Sequence, residues 1–294
     1  MVSTTPSSSL ASRYESLGVQ LDAPGDWPVL IEPWAPAGLA GTGRVIEAPP
    51  ALDRGLRAEG EHWLTQALAN GLVAYNGGVL ALDTLRPGFV TMRPAGFYQS
   101  LYSHALLAEE WKADGPTPLR DRIEARCDGD PLRKGWGRVT ALGVSCLLVF
   151  DGARGPEFLL GRRQNTLPQA PGRWSVVPSG TVEPMLTGAL AHTVETEARE
   201  ELLMDGFDLE RMVAGVTVLG AAYDLLCLHA EICCLLICAG ERPQIDQGEH
   251  SEAIWRPFDD DGLKGALTDL GPQGLVPVSA GALELARWRL ETLG

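Results

Sequence analysis

Glu197, Glu200 and Glu201 stand at positions i, i+3 and i+4 of a stretch with helical spacing. Three carboxylates on one helical face repel one another unless water or a cation separates them. A hard divalent cation turns that repulsion into binding, because Mg²⁺ and Mn²⁺ favour oxygen-only ligand sets. The loop Pro178-Ser179-Gly180-Thr181-Val182-Glu183-Pro184 precedes the triplet by about one helix length. Ser179-Gly180 after a short strand lets the backbone turn tightly and offer a carbonyl, that of Ser179, toward the helix. With Leu190 set at zero on the helical wheel, Leu190, Ala191, Val194, Ala198 and Leu202 fall within an arc of about 120°. The three glutamates occupy the adjoining arc of about 100°, while Glu195 points elsewhere. The helix can therefore dock by its small apolar face with carboxylates along the seam. Taken alone, a Glu-rich helix is more often a solvated face than a site.

The elements that must position this helix lie in the second half of the chain. Residues 139–150, 157–163, 174–177, 212–223, 226–238 and 253–258 read as strands, residues 186–204 as the acidic helix ended by Gly206, and residues 279–293 as a closing helix with Ser279 as N-cap. In the first half, residues 27–34 read as a short strand, 52–70 as a helix stopping at Gly71, and 72–92 as a hairpin turning at Asn76-Gly77. An aromatic helix follows over 97–111. Residues 113–137, rich in Gly, Pro, Asp and Arg, read as a linker or long loop. The expected architecture is an α/β sandwich over 137–294, preceded by a disordered segment (1–20) and a smaller α+β domain (21–136).

The bulk composition narrows the function. The chain has 294 residues, 45% hydrophobic and 21% charged, enough for a substantial core. The formal net charge of −14 argues against nucleic-acid backbone binding, which needs clustered Lys and Arg. An acidic protein can still hold phosphates where metal ions and a few local arginines invert the field. Residues 216–238, the most apolar run, are broken by Asp224, His229 and Glu231, so no membrane span is expected. The N-terminus lacks a basic region followed by an apolar one, so no secretory signal is expected. The six cysteines form no CxxC pair and read as reduced core residues, which points to the cytoplasm.

The stretch SGTVEPM…TVETEAREELLMDG resembles the Nudix box, the loop–helix–loop signature of Nudix hydrolases. Glu197, Glu200 and Glu201 match its three glutamates, and Gly180 and Glu183 match its loop. LLGRR and GRWSVVPSG resemble the strands that lead into the box, and EHSEAIWRPFDD the segment that often contributes a further acid. The resemblance covers about residues 137–294. Four departures stand out: Ser179 replaces the first loop glycine, Leu186 the isolated glutamate and Thr196 the arginine, and Gly180 lies two residues further from Glu197 than the pattern expects. The usual Glu–Arg brace between loop and helix is thus absent.

The resemblance implies a Nudix-type α/β/α sandwich and Mg²⁺- or Mn²⁺-dependent hydrolysis of a nucleoside diphosphate linked to another moiety. Glu200 and Glu201 are implied as metal ligands, Glu197 as ligand or base, and the Ser179 carbonyl as a further ligand. Glu249 is the first candidate for the extra acid, with Glu252 next. Arg162, Arg163 and Arg173 are candidates for clamping phosphates. His192, facing away from the triplet, reads as a surface residue. AGFYQSLYSHALLAEEW, ahead of the box, is similar to a segment of UDP-sugar-cleaving Nudix hydrolases. A nucleoside diphosphate sugar is therefore the leading substrate expectation, with a dinucleotide of the ADP-ribose or NADH type next. A non-catalytic nucleotide-binding module and an acidic scaffold stay open beside the hydrolase. The N-terminal half, whose Asp53, Arg54, Arg57, Glu59, Glu61 and His62 show no ligand spacing, is left as a substrate lid, a homodimer surface or a wall of the pocket.

Overall fold

The computed structural model describes residues 10–71, 76–153, 155–167, 169–203, 209–239 and 242–293. In chain order its elements are α1 (Leu10–Arg13), β1 (Val19–Gln20), β2 (Val29–Gly38), β3 (Gly43–Val45), α2 (Arg54–Ala69), β4 (Gly78–Arg86), β5 (Phe89–Gly96), α3 (Phe97–Lys112) and α4 (Pro118–Arg126). There follow β6 (Gly143–Gly152), β7 (Gly155–Arg163), β8 (Trp174–Val176), β9 (Ser179–Thr181), α5 (Ala189–Glu201), β10 (Leu202–Leu203) and α6 (Leu209–Ala214). The chain closes with β11 (Thr217–Asp224), β12 (His229–Ala239), β13 (Gln244–Ile245), β14 (His250–Pro257), α7 (Asp260–Gly274) and α8 (Pro277–Leu293).

The central sheet runs β1-β2-β11-β12-β6-β7-β14, with β8 on β7 and β9 on β6. Only the β12–β6 pair is parallel among these pairings, Glu231 standing opposite Gly143 and Leu236 opposite Leu148. Alternation along β6 divides the core. Val144, Cys146 and Leu148 join the cluster that includes Leu190, Val194 and Ala198 of α5. Leu147 and Val149 join the one formed with Leu263 and Leu267 of α7 and Leu283 and Ala286 of α8. Strands buried on both faces require this continuous apolar run, and helices cover both sides. The α/β sandwich read from the sequence is therefore present. Because β1 and β2 belong to the same sheet as β11, that sheet crosses the boundary expected at 136/137.

Several elements depart from the sequence reading. The stretch 113–137 is not a linker: it contains α4, and Leu119, Ile123, Cys127 and Leu132 are buried. Its arginines are structural. Buried Arg120 donates to the Leu225 and Leu226 carbonyls at 2.9 and 2.7 Å, and the neighbouring Arg138 to those of Pro131 and Leu228 at 2.5 and 2.9 Å. The two guanidiniums fasten the β11–β12 turn, whose composition gave no sign of such a partner. The hairpin turns at Pro87-Gly88 between β4 and β5 rather than at Asn76-Gly77, and residues 72–75 lie outside the described residues. α5 starts at Ala189, after Gly188 at φ +69°, so Leu186 is exposed and outside the helix, and Gly206 is not described. Part of the strand expected over 212–223 is helix α6. Ser279 lies inside α8 and is not its N-cap: its hydroxyl accepts from the Val176 amide at 3.2 Å. α7, with Asp259 accepting from the Gly262 amide as its cap, had no counterpart in the sequence reading.

The N-terminal half reaches the core sheet through α3. Ser100 accepts from the Ala141 amide at 2.9 Å and Ser103 from the Val139 amide at 3.4 Å, just ahead of β6. Helix α2 backs α3 at Gly60, where a β-carbon would come within 2.2 Å of the buried Tyr102 ring. Gly60→Leu should force the two helices apart and destabilise the protein by about 1–3 kcal/mol, as overpacking does. Chemical denaturation should show this as a lower midpoint at unchanged slope, and an unchanged midpoint would refute the close packing.

Candidate active site

Three elements meet where the acidic helix ends. β9 pairs with β6, Ser179 opposite Ser145 and Gly180 opposite Val144. The cis peptide Val177–Pro178 leads into β9. β14 begins at His250, opposite Arg163 of β7. Glu201, the last residue of α5, is buried between them: one carboxylate oxygen accepts from the Ser179 amide at 2.9 Å and the other lies 3.3 Å from His250 Nε2. Ser179 thus meets the helix through its amide N–H, whereas the sequence suggested its carbonyl.

The three glutamates lie at different depths. Glu201 is buried, Glu197 half-buried and Glu200 exposed. Glu197 lies against the bare α-carbon of Gly180, where a β-carbon would approach its carboxylate to 1.7 Å. This close approach is the reason that position takes glycine. Burial pushes the Glu197 carboxyl up to about 9, helped by the charges of Glu201, Glu249, Glu200 and Glu183. Burial likewise pushes Glu201 up to about 8, against the pull of the Ser179 amide. His250 is drawn down to about 4 by burial and by Arg163, so its imidazole is neutral at pH 7. Its contact with Glu201 is a hydrogen bond rather than an ion pair, and its Nδ1 is buried without a hydrogen-bond partner among the described residues.

Glu201, Glu249 and His250 bring one ligand atom each within 4.8 Å of one another. Two carboxylates this close, one of them buried and held protonated by its surroundings, fit a hard cation that would restore the ionised form. The sequence selected Glu249 but passed over His250. The only signal for it was its place beside Glu249, opposite Arg163.

The loop–helix brace takes another form here. Glu183 accepts or shares a proton with His192 Nε2 at 3.0 Å, and its amide donates to Thr193 Oγ1 at 3.1 Å. His192 is a surface residue, its side chain 41% exposed, that pairs with Glu183 of the loop. The arginines separate as well. Arg162 is engaged by Glu252 at 2.7 Å and by the Gly172 carbonyl at 3.1 Å. Arg163 lines the cavity beside Glu249, with its Nε on the Gln169 carbonyl at 3.2 Å. Arg173 is not among the residues lining that cavity.

The cavity holds about 520 Å³ and is lined by Ser179, Gly180, Glu197, Glu249 and Arg163, together with Phe97, Ser100 and His104 of α3. The N-terminal half is thus a wall of the pocket. A second cavity of about 530 Å³, along β13 and β14, gathers no comparable set of acids.

No family model matches the sequence, and no curated protein matches it. Solved structures do. The Nudix domain of Shewanella oneidensis NrtR, complexed with ADP ribose, is 19% identical over 52% of this chain and 90% of its own, at a TM-score of 0.37. A MutT/Nudix family protein from Enterococcus faecalis is 18% identical over 52% of this chain and 62% of its own, at 0.41. An Ap4A hydrolase from C. elegans is 15% identical over 53% of this chain and all of its own, at 0.34. The chain matches Nudix hydrolases in structure at low sequence identity. At such scores and identities the match bears on neither substrate nor activity, and the chemistry rests on the side chains themselves.

The raised carboxyls make stability depend on pH with a definite sign. Glu197 and Glu201 keep protons in the folded state that the unfolded chain releases near the ordinary value of 4.5. The folded state binds more protons, so stability falls as pH rises toward 9. Above pH 6.5 the opposing contribution of His250 is complete. With divalent cations chelated, Tm should fall between pH 6.5 and 9, Glu201→Gln should flatten the slope, and Mg²⁺ or Mn²⁺ should raise Tm more at pH 9 than at pH 6.5. A slope in the wild type identical to that of the variant would contradict the assignment.

Proposed function

We propose that the protein is a Mg²⁺- or Mn²⁺-dependent hydrolase of a nucleoside diphosphate linked to another moiety, with a nucleoside diphosphate sugar as the leading substrate. The observation that carries this reading is the buried Glu201 carboxylate, fixed by the Ser179 amide and His250 beside Glu197 and Glu249. A purely solvated acidic face would not bury one of its acids among others. Glu197, Glu200 and Glu201 would hold the cation, with the Ser179 backbone and Glu249 beside them. When bound, the cation neutralises charge on the diphosphate and lowers the pKa of an attacking water.

The remaining roles belong to this chain's own groups. Glu249, exposed to solvent, would take the water's proton, and Glu197, once the cation has ionised it, is the other candidate base. Arg163 faces the same cavity and can hold a phosphate oxygen. Arg162 and Glu252, paired with each other, contribute by fixing β7 against β14. A dinucleotide of the ADP-ribose or NADH type is the second substrate class, since the 520 Å³ cavity admits a sizeable group beyond the diphosphate. A nucleotide-binding module without turnover is distinguished from both by products alone.

The test is a hydrolysis screen of nucleotide sugars and dinucleotides with Mg²⁺ or Mn²⁺, with product identification. The expected products are a nucleoside monophosphate and a sugar phosphate, or two monophosphates. Glu201→Gln should lower kcat by at least about a hundredfold. Gly180→Ala, which displaces the Glu197 carboxylate, should impair kcat with a smaller effect on Tm. Tight nucleotide-sugar binding with no turnover by any substrate would replace the hydrolase with a binding module.

A further inference from the structure

The cavity wall also carries a second polar cluster, which the proposed chemistry does not use. Glu231 of β12 accepts from the Ser145 hydroxyl on one carboxylate oxygen and from His229 Nε2, at 3.0 Å, on the other. Thr140 Oγ1 lies 3.5 Å from His229 Nδ1. Thr140 in turn lies 3.0 Å from His104 Nε2, and the two imidazoles meet edge to face at 5.0 Å. Burial, His229 and Arg138 push the His104 pKa well below the usual range, which keeps that ring neutral. A chain of polar contacts therefore links His104 through Thr140 and His229 to Glu231.

The residues of this cluster that line the cavity keep unused acceptor capacity. Each Glu231 oxygen has one protein donor and room for another, because an ionised carboxylate offers about four lone-pair sites. Ser145 Oγ, whose proton goes to Glu231, is left with lone pairs, and the neutral His104 ring keeps one acceptor nitrogen. The cluster is also built for this place. Glu231 stands opposite Gly143, where a β-carbon would approach its side chain to 2.7 Å, so the glycine makes its room. β12 is separated from β9, which carries Ser179, by β6 alone. That is two strand spacings, about 10 Å. Ser100, His104, Ser145, His229 and Glu231 all line the same cavity as Glu197 and Glu249.

We propose that Glu231, with Ser145, His229 and His104, forms a subsite that binds a vicinal diol of a sugar ring attached to the diphosphate. Two neighbouring hydroxyls can donate to the two carboxylate oxygens, while Ser145 and the neutral His104 accept from a third. The assignment rests on the diphosphate reading of the acidic cluster. The diol belongs to the nucleoside ribose or to the second sugar, and the chemistry of recognition is the same for both.

Titration calorimetry with Mg²⁺ at low temperature, on the catalytically impaired Glu201→Gln protein, tests this with UDP-glucose and ADP-ribose as parent probes. For each parent, one analogue lacks the nucleoside 2′-hydroxyl and another lacks a hydroxyl of the second sugar. A hydrogen bond to a charged acceptor makes the affected analogue bind about tenfold to a hundredfold more weakly than its parent. The analogue affected tells which sugar occupies the subsite. Adding Glu231→Gln should weaken the parent and shrink the penalty for the deoxy analogue. The comparison of parent with analogue needs no change at Glu231, so it stands even where that variant fails to fold. Equal binding by parents and analogues overturns the subsite and leaves the diphosphate reading standing. Binding by neither parent, together with no turnover by wild-type protein in the hydrolysis screen, overturns both.

Discussion

The burial of one carboxylate organises this structure. Glu201 sits at the end of α5 where three elements converge, and its two oxygens meet the Ser179 amide of β9 and His250 of β14. Removing such a group from water is costly unless it is hydrogen-bonded, protonated or matched by a cation. Two contacts go part of the way, and the raised pKa shows that they do not complete it. The helix, the loop ahead of it and the far end of the sheet are all placed so that this acid stays inside. Glu197 extends the same constraint, since it reaches its position only across the bare α-carbon of Gly180.

The sandwich supplies the rigidity that such a site needs. β6 is buried on both faces and carries β9 on one side and β12 on the other. Ser179 and Gly180 of the acidic site and the polar cluster around Glu231 are therefore held by neighbouring strands of one sheet. The N-terminal half closes the cavity with α3, tied by Ser100 and Ser103 to the backbone ahead of β6. Arg120 and Arg138 fasten the turn that leads to His229. The two halves of the chain are linked by buried hydrogen bonds rather than by a flexible connector.

Much of the site was legible because it is local in sequence. A spacing of three and four residues places Glu197, Glu200 and Glu201 on adjoining arcs, and the loop before them identifies itself by Ser179-Gly180. Their depths were not legible, because a helical wheel does not know what packs on it. Burial of Glu201 depends on His250, 49 residues away. The polar wall escaped notice for the same reason: His104, Ser145 and Glu231 come from three separate elements, and no spacing rule joins them. Arg120 misled in the opposite direction. The composition around it suggested a linker or long loop, whereas the Leu225 and Leu226 carbonyls of a distant turn accept from it. The brace between loop and helix was expected to be lost with Leu186 and Thr196, yet His192 and Thr193 hold Glu183 from adjacent positions of the helix.

The central claim is that the buried acids are protonated without a cation and ionised with one. Carboxyl ¹³C NMR titration of Glu197 and Glu201 measures this directly, with signals assigned through Glu197→Gln and Glu201→Gln. In chelated protein the two should titrate far above the ordinary carboxylate range, near 9 and 8 respectively. Saturating Mg²⁺ should move both midpoints down toward that range. Titration of both acids near about 4.3, the ordinary glutamate value, with no response to Mg²⁺ or Mn²⁺, would contradict the account.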